Sequence, residues 1–307
     1  MKVFHHDRFD YPLPEGHRFP LARYRMLREA LGETPGVDLA ESRVATDAEL
    51  ALAHSPQYLD RALNGGLSAR EQAALGLPWS PQLVTRARHS VGATLQASDA
   101  ALQEGVAVNL GGGTHHAFAD GGRGFCMFND VVCAVRRLRA SGAIRRALVV
   151  DLDVHQGDGT HAAFADDPDA TTMAVNGGAN YPFRRVPGDV EIDLPDRCGD
   201  DAYLGHVERL MAQALDRGRP DICFYLAGAD PYDDDRLGRL AVTMSGLAIR
   251  DRHVLEVLDD RSVPVVVLLA GGYARQIADT VAINRETVCQ AVSLWSATPE
   301  RNLAPGV

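Results

Sequence analysis

Lysine is nearly missing from this chain: Lys2 is the only one, and the other 30 of the 31 basic residues are arginine, against 41 Asp and Glu, for a formal charge of -10. An acidic chain with no basic run lacks the footprint that nonspecific nucleic-acid binding needs, so no direct nucleic-acid partner is expected. Long hydrophobic runs are absent too. Nowhere do the roughly 18 uncharged apolar residues of a membrane span run together, and Met1-Lys2-Val3-Phe4-His5-His6-Asp7 has no apolar signal-peptide core. These absences predict a cytoplasmic protein with no membrane partner. The five cysteines, at 126, 133, 198, 223 and 289, show no paired metal spacing and are odd in number, which reads as reduced thiols in a reducing compartment. There is no internal repeat, no low-complexity segment and no linker rich in Ser, Pro or Gly, so residues 1–307 read as a single domain.

What is present is a 46% hydrophobic chain in which apolar β-branched runs alternate with amphipathic stretches. That alternation predicts an α/β fold. Strands are expected at 2–5, 106–111, 146–153, 171–175, 190–193, 222–228 and 263–269. Their nearly all-apolar character suits a central, mainly parallel sheet covered on both faces, a three-layer α/β/α arrangement. Helices are expected at about 20–31, 47–63, 81–104, 127–141, 200–217, 242–260 and 275–296.

Chemistry concentrates where those strands end. Asp151-Leu152-Asp153-Val154-His155-Gln156-Gly157-Asp158 closes one apolar run. In an extended segment Asp151, Asp153 and His155 would share a face. Burying two carboxylates and an imidazole without a cation is costly, and a divalent metal is the simplest remedy. The mixed oxygen and nitrogen donor set suits zinc first, then iron, manganese or cobalt. Three more apolar runs end in Gly111-Gly112-Gly113-Thr114-His115-His116, in Ala227-Gly228-Ala229-Asp230 and in Ala270-Gly271-Gly272-Tyr273. In open parallel sheets ligands gather beyond the carboxyl ends of strands, so the four segments support one site.

Together these residues resemble the zinc-dependent histone deacetylase family, within the arginase and deacetylase fold. The resemblance rests on Gly-Gly-x-His-His at 112–116, Gly-Phe-Cys-Met-Phe-Asn-Asp at 124–130, Asp-x-Asp-Val-His-x-Gly-Asp-Gly at 151–159, Gly-Ala-Asp at 228–230 with a second acid at Asp235, and Gly-Gly-Tyr at 271–273. Five motifs in the family's order cover most of the chain. Asp235-Arg236-Leu237-Gly238 and His155-Gln156-Gly157 are more similar to class IV deacetylases and their bacterial relatives than to class I.

The resemblance implies a set of roles. Asp153, His155 and Asp230 would bind one Zn2+, with Fe2+ as the alternative in cells, leaving an open position for water and a carbonyl. Tyr273 would supply a hydrogen bond to the oxyanion. His116 would be the main general base and acid and His115 chiefly electrostatic, with Asp151 holding His115 and Asp158 holding His116. Gly124 and Phe125 would wall a narrow acyl-lysine channel, with an aromatic from Tyr181-Pro182-Phe183 opposite. A structural K+ near the backbone of Asp151, Asp153 and His155 is also implied.

The expected substrate is an acylated lysine or an acylated small amine. Peptide-directed relatives carry an acid on a rim loop where Gly76-Leu77-Pro78-Trp79-Ser80-Pro81 stands without one. Trp79 is a candidate cap for the mouth, and the loop from Tyr11 to Pro20 a candidate entrance. An acetylpolyamine would need acids there, with Glu15 and Glu71 as candidate sources. Arginase-like ureohydrolysis calls for further bridging carboxylates, and a noncatalytic acyl-lysine binding module would need neither Tyr273 nor the paired histidines. His5-His6 has no supporting carboxylate pattern and reads as incidental.

Overall fold

Four strands whose every residue is buried make the middle of the sheet: β3 (Val106–Asn109), β4 (Ala147–Asp151), β7 (Ile222–Leu226) and β8 (Val265–Leu268). Around them lie β1 (Lys2–His5), β2 (Asp38–Glu41), β5 (Ala170–Gly177) and β6 (Val190–Leu194). A computed structural model describes residues 1–296. The sheet order is β2-β1-β3-β8-β7-β4-β5-β6 and every pairing is parallel. The mainly parallel sheet expected from sequence is thus wholly parallel among the described residues.

Alternation along the central strands feeds two separate cores. In β7, Ile222, Phe224 and Leu226 join one core and Cys223 and Tyr225 the other, and β8 divides in the same way between Val266, Leu268 and Val265, Val267. Successive side chains of a strand point to opposite faces, so a strand buried on both must be apolar throughout. Fully burying a side chain such as Phe224 or Val267 contributes roughly 1.5–3 kcal/mol. One layer is built by α5 (Pro81–Glu104) and α6 (Asp130–Ala140) with the shorter α2 (Asp47–Leu50), α3 (Pro56–Asn64), α4 (Ala69–Leu75) and α7 (Asp158–Phe164). The other is built by α1 (Ala22–Leu31), α8 (Asp200–Asp216), α9 (Met244–Asp260) and α10 (Ile277–Ser296).

Several boundaries differ from the sequence expectation for local reasons. The stretch 47–63 is two helices: α2 stops at Leu50, and Pro56, whose missing amide hydrogen suits a first helical position, opens α3, with Ser55 Oγ accepting from the Tyr58 amide at 3.3 Å. The helix expected from 127 begins at Asp130, where Asn129 Oδ1 caps the Val132 amide at 3.1 Å. Helix α4, unread in the sequence, is defined by a capping box between Ser68 and Glu71 and ends at Gly76 with φ 72°. Strand β2 was also missed, since Asp38-Leu39-Ala40-Glu41 is a half-exposed edge and carries no apolar run.

Candidate active site

The carboxyl ends of β3, β4, β7 and β8 converge on one cavity of about 560 Å³. Strand β4 stops at Asp151, and the chain beyond it no longer alternates. Asp153 and His155 therefore turn toward Asp230 while Asp151 does not join them. Ligand atoms of Asp153, His155 and Asp230 lie within 4.8 Å of one another. His155 Nδ1 is 2.9 Å from Asp153 Oδ1 and 3.2 Å from Asp230 Oδ2. The other oxygens are held by backbone: the Gly271 amide donates to Asp153 Oδ2 at 2.7 Å and the Val154 amide to Asp230 Oδ1 at 2.9 Å. Glycine is required at 271, since a Cβ there would run into both carboxylates.

The electrostatics of this trio call for a cation. Burial and then the neighbouring Asp153 push the Asp230 carboxyl up to about 7. Burial acts the same way on Asp153, but His115 and His155 outweigh it and hold that carboxyl far below its usual range. His155, disfavoured as a cation by burial, is carried up to about 10 by the two acids. Two buried carboxyl groups thus crowd one imidazole, and the raised Asp230 shows that ionising both is unfavourable without a further cation. The donor set, two carboxylates and an imidazole with open space beyond them, fits a divalent metal.

The paired histidines sit beside this trio. Asp151 Oδ2 lies 2.7 Å from His115 Nδ1, and Asp158 Oδ1 lies 2.7 Å from His116 Nδ1. A ring nitrogen facing a carboxylate carries the proton, so both Nε2 atoms are turned toward each other, 3.1 Å apart. The two rings are driven in opposite directions. Burial lowers His115, but Asp151 and Asp153 together raise it to about 9, whereas burial and then the His115 charge push His116 down to about 4. One imidazolium donating to one neutral imidazole satisfies the short Nε2 contact.

Asp130 closes the Gly-Phe-Cys-Met-Phe-Asn-Asp motif, but sequence reasoning assigned it no role. It is fully buried and accepts from the Gly113 amide at 2.9 Å, the Thr114 amide at 2.8 Å and the Thr114 and Thr94 hydroxyls at 2.6 Å each, which pins the turn carrying both histidines. Its signal was the Asn129-Asp130 pair at a helix start. Asp235 acts likewise on the opposite turn: it accepts from the Tyr273 amide at 2.6 Å and from the Leu237 and Gly238 amides at 2.8 Å each. Burial, the largest influence on Tyr273, keeps its phenol protonated and able to donate.

Phe125 and Tyr181 face the cavity, and the Tyr181 ring meets His116 edge-on at 4.9 Å. Gly124 also lines it, and a Cβ there would strike the His116 ring. Phe125 adopts φ 68°, a left-handed conformation rare for a bulky residue, held by its amide to Leu75 O at 2.7 Å. The entrance loop supplies Tyr11, Arg18 and Phe19 to the lining. Trp79 does not reach it; its indole donates to Ala62 O at 2.7 Å and packs on Gly65. Of the Tyr181-Pro182-Phe183 segment both aromatics line the cavity, Tyr181 beside His116 and Phe183 at the surface, 90% exposed. Glu71 is committed to Ser68 and Arg61, and Glu15 is absent from the lining, so neither supplies an acid to the cavity.

A wholly parallel sheet thus sets at its carboxyl edge an Asp-His-Asp trio that could hold a metal ion, beside two carboxylate-held histidines, the layout of a candidate hydrolase centre. The histone deacetylase domain model matches residues 17–287, and the chain belongs to that family. It is 39% identical over 282 residues to an uncharacterized protein of Picosynechococcus sp., covering 91% of this chain and 94% of the relative. Histone deacetylase 2 of Arabidopsis thaliana is 30% identical over 257 residues, 79% of this chain and 66% of that one. Among solved structures, an HDAC homolog from Aquifex aeolicus superposes with a TM-score of 0.81 at 22% identity, covering 96% of this chain and 88% of the other. An HDAC homolog complexed with SAHA gives 0.83 at 23% identity, with 95% and 83% covered.

Proposed function

We propose that residues 1–307 form a single catalytic domain, a zinc-dependent amidohydrolase that removes acetyl or longer acyl groups from the ε-amine of lysine or a lysine-like amine. What supports this reading above all is that the open side of the Asp153, His155 and Asp230 trio shares its cavity with His116 and Tyr273. A divalent cation bound by the trio supplies a Lewis acid that polarises an amide carbonyl and acidifies a water. Zinc is the first expectation and Fe2+ the alternative. A structural K+ near the backbone of Asp151, Asp153 and His155 is a further expectation of the same reading.

The chain's own groups carry the rest. Once a water takes the place of the His115 contact at its Nε2, His116, neutral and held through Nδ1 by Asp158, accepts the water proton there and later gives it to the departing amine. His115, kept cationic by Asp151, stabilises negative charge beside it. The Tyr273 hydroxyl donates to the carbonyl oxygen as it becomes an oxyanion. Phe125 and Tyr181 flank an aliphatic stem, excluding water along it. A noncatalytic binding module would need none of this proton-transfer machinery.

The test is hydrolysis of acetyl-lysine peptides, longer-acyl lysine peptides and acetylated small amines by enzyme of known metal content. Metal-dependent amine release from one of these classes is expected. Absence of release from all of them by fully loaded enzyme would overturn the assignment.

A further inference from the structure

One buried arginine gives its hydrogen bonds to the backbone that carries two of the three metal donors. Arg250, in α9, is fully buried and takes no part in lining the cavity. Its Nη1 donates to Gly228 O at 2.7 Å and reaches Leu152 O at 3.3 Å. Leu152 directly precedes Asp153, and Gly228 stands two residues before Asp230. Both carbonyls lie just past the regular sheet, since the register of β4 with β7 ends at Asp151 and Leu226. The two segments touch there: a Cβ on Gly228 would stand 2.7 Å from the Asp153 Cα. Where the strand register gives out, the guanidinium ties the two chains together.

That guanidinium is aimed by groups outside the site. Arg250 Nε donates to Asp251 Oδ1 at 2.8 Å, and Asp251 accepts in turn from the Tyr225 hydroxyl on β7 and the Thr287 hydroxyl on α10. The pair is 0% and 1% exposed. A buried ion pair is a poor stabiliser, because desolvation offsets much of the attraction and apolar side chains of similar volume would join α9 to the sheet as well or better. An apolar pair cannot donate to carbonyls. The contacts to Leu152 O and Gly228 O are therefore what the buried charge provides, and they hold the backbone from which Asp153 and Asp230 project. Groups that orient metal ligands from behind govern how well the donor set is preorganised.

We infer that Arg250, oriented by Asp251, is a positioning residue that sets the spacing of Asp153 and Asp230, and through it the affinity of the trio for its metal. This inference rests on the reading of the trio as a metal site. Arg250 itself touches neither metal nor substrate and acts only through the two backbone carbonyls.

The test measures Zn2+ affinity by competition with a chromogenic chelator, the visible absorption of Co2+-loaded protein, and Tm of the metal-free protein. The variants are Arg250→Lys, the double variant Arg250→Met with Asp251→Asn, and Val135→Ala. The double variant removes both charges, so neither is left unpaired, and Asp251→Asn keeps an oxygen for the Tyr225 and Thr287 hydroxyls. Val135→Ala loosens the opposite core, where Val135 is fully buried, without touching either carbonyl. The double variant should bind Zn2+ roughly 10–100-fold more weakly and shift the Co2+ absorption, with a metal-free Tm near that of wild type. Arg250→Lys, which keeps a donor for the carbonyls, should fall between the two. Val135→Ala should lower Tm and leave Zn2+ affinity and the Co2+ absorption unchanged. Wild-type affinity and absorption in the folded double variant overturn the inference, and so does an equal loss of affinity in Val135→Ala, which would trace the effect to general loosening. If the double variant does not fold, Arg250→Lys decides: weaker Zn2+ binding with shifted absorption upholds the inference, and wild-type values overturn it. Wild type that binds no Zn2+, or binds it equally after Asp230→Ala, overturns the metal reading and the inference with it. Wild type that binds Zn2+ through Asp230 but hydrolyses no acylated amine overturns the amidohydrolase reading alone, and the titrations still decide the role of Arg250.

Discussion

The two ends of the cavity solve the problem of buried charge in opposite ways. At the metal end, Asp151 and Asp158 each face an imidazole at 2.7 Å, and the spare oxygens of Asp153 and Asp230 accept backbone amides. On another wall Arg23 and Arg86 donate to backbone carbonyls, to Gly272 O at 2.8 Å, Ala270 O at 2.6 Å and His6 O at 2.9 Å, and both lie over the Tyr24 ring. The first end is short of a cation, whereas the second spreads its charge over carbonyl dipoles and a π face. A low-dielectric interior enforces such matching, because an uncompensated ion there costs several kcal/mol. Only the trio therefore names the charge of what it is built to receive.

The largest expected effect breaks the metal end alone. Asp230→Ala removes one of two carboxylates from a three-residue donor set, and metal content by elemental analysis should fall close to zero with turnover lost. Full metal occupancy in this variant would mean that the ion sits elsewhere. A smaller effect is expected from Tyr273→Phe, which keeps the ring against Phe125 and the Asp235 contact to the backbone. Loss of one oxyanion donor should lower kcat roughly 10²–10³-fold with metal content unchanged. An unaltered kcat would take Tyr273 out of the reaction.

Much of the metal end was legible because strand ends leave a local signature. An apolar run that breaks into Asp-x-Asp-Val-His or Gly-Gly-x-His-His announces both the strand and its cargo, and the order of motifs supplied the family. The paired carboxylates on His115 and His116 came from resemblance, and the sheet geometry is consistent with them. The simple alternation that put Asp151 beside Asp153 failed, because β4 ends at Asp151 and the pleat ends with it. The arginine wall was illegible for a different reason. Arg23, Arg86 and His6 come from two helices and the loop after β1, and none stands in a local pattern. His5-His6 reads as incidental in sequence, and its bond to Arg86, 80 positions away, uses only the His6 backbone carbonyl. Asp130 and Asp235 were half legible: the motifs contained them, but only the fold shows that their oxygens are spent on pinning the turns that carry the paired histidines and Tyr273.

His54 sharpens the comparison by showing what burial does to a histidine with no charged partner. Its Nδ1 donates to Phe118 O at 2.9 Å and its Nε2 accepts from the Asn129 amide at 3.0 Å, so it is fully satisfied as a neutral ring. Burial pushes it down to about 4, whereas His115, equally buried but facing Asp151, goes up to about 9. The signs follow. The unfolded chain binds a proton at His54 near pH 6.5 and the folded chain resists it until about 4, so this group destabilises the fold progressively as pH falls through that window, by roughly 3 kcal/mol in all. His115 works the other way: its contribution is fully present below about 6.5 and is lost as pH rises through about 9. Thermal unfolding of metal-free protein should therefore show a loss of Tm between pH 6.5 and 4 that is shallower in His54→Gln, even though that variant starts from a lower Tm at neutral pH. An identical acid slope in the two proteins would mean that His54 does not resist protonation, and that burial alone does not set the sense of the shift.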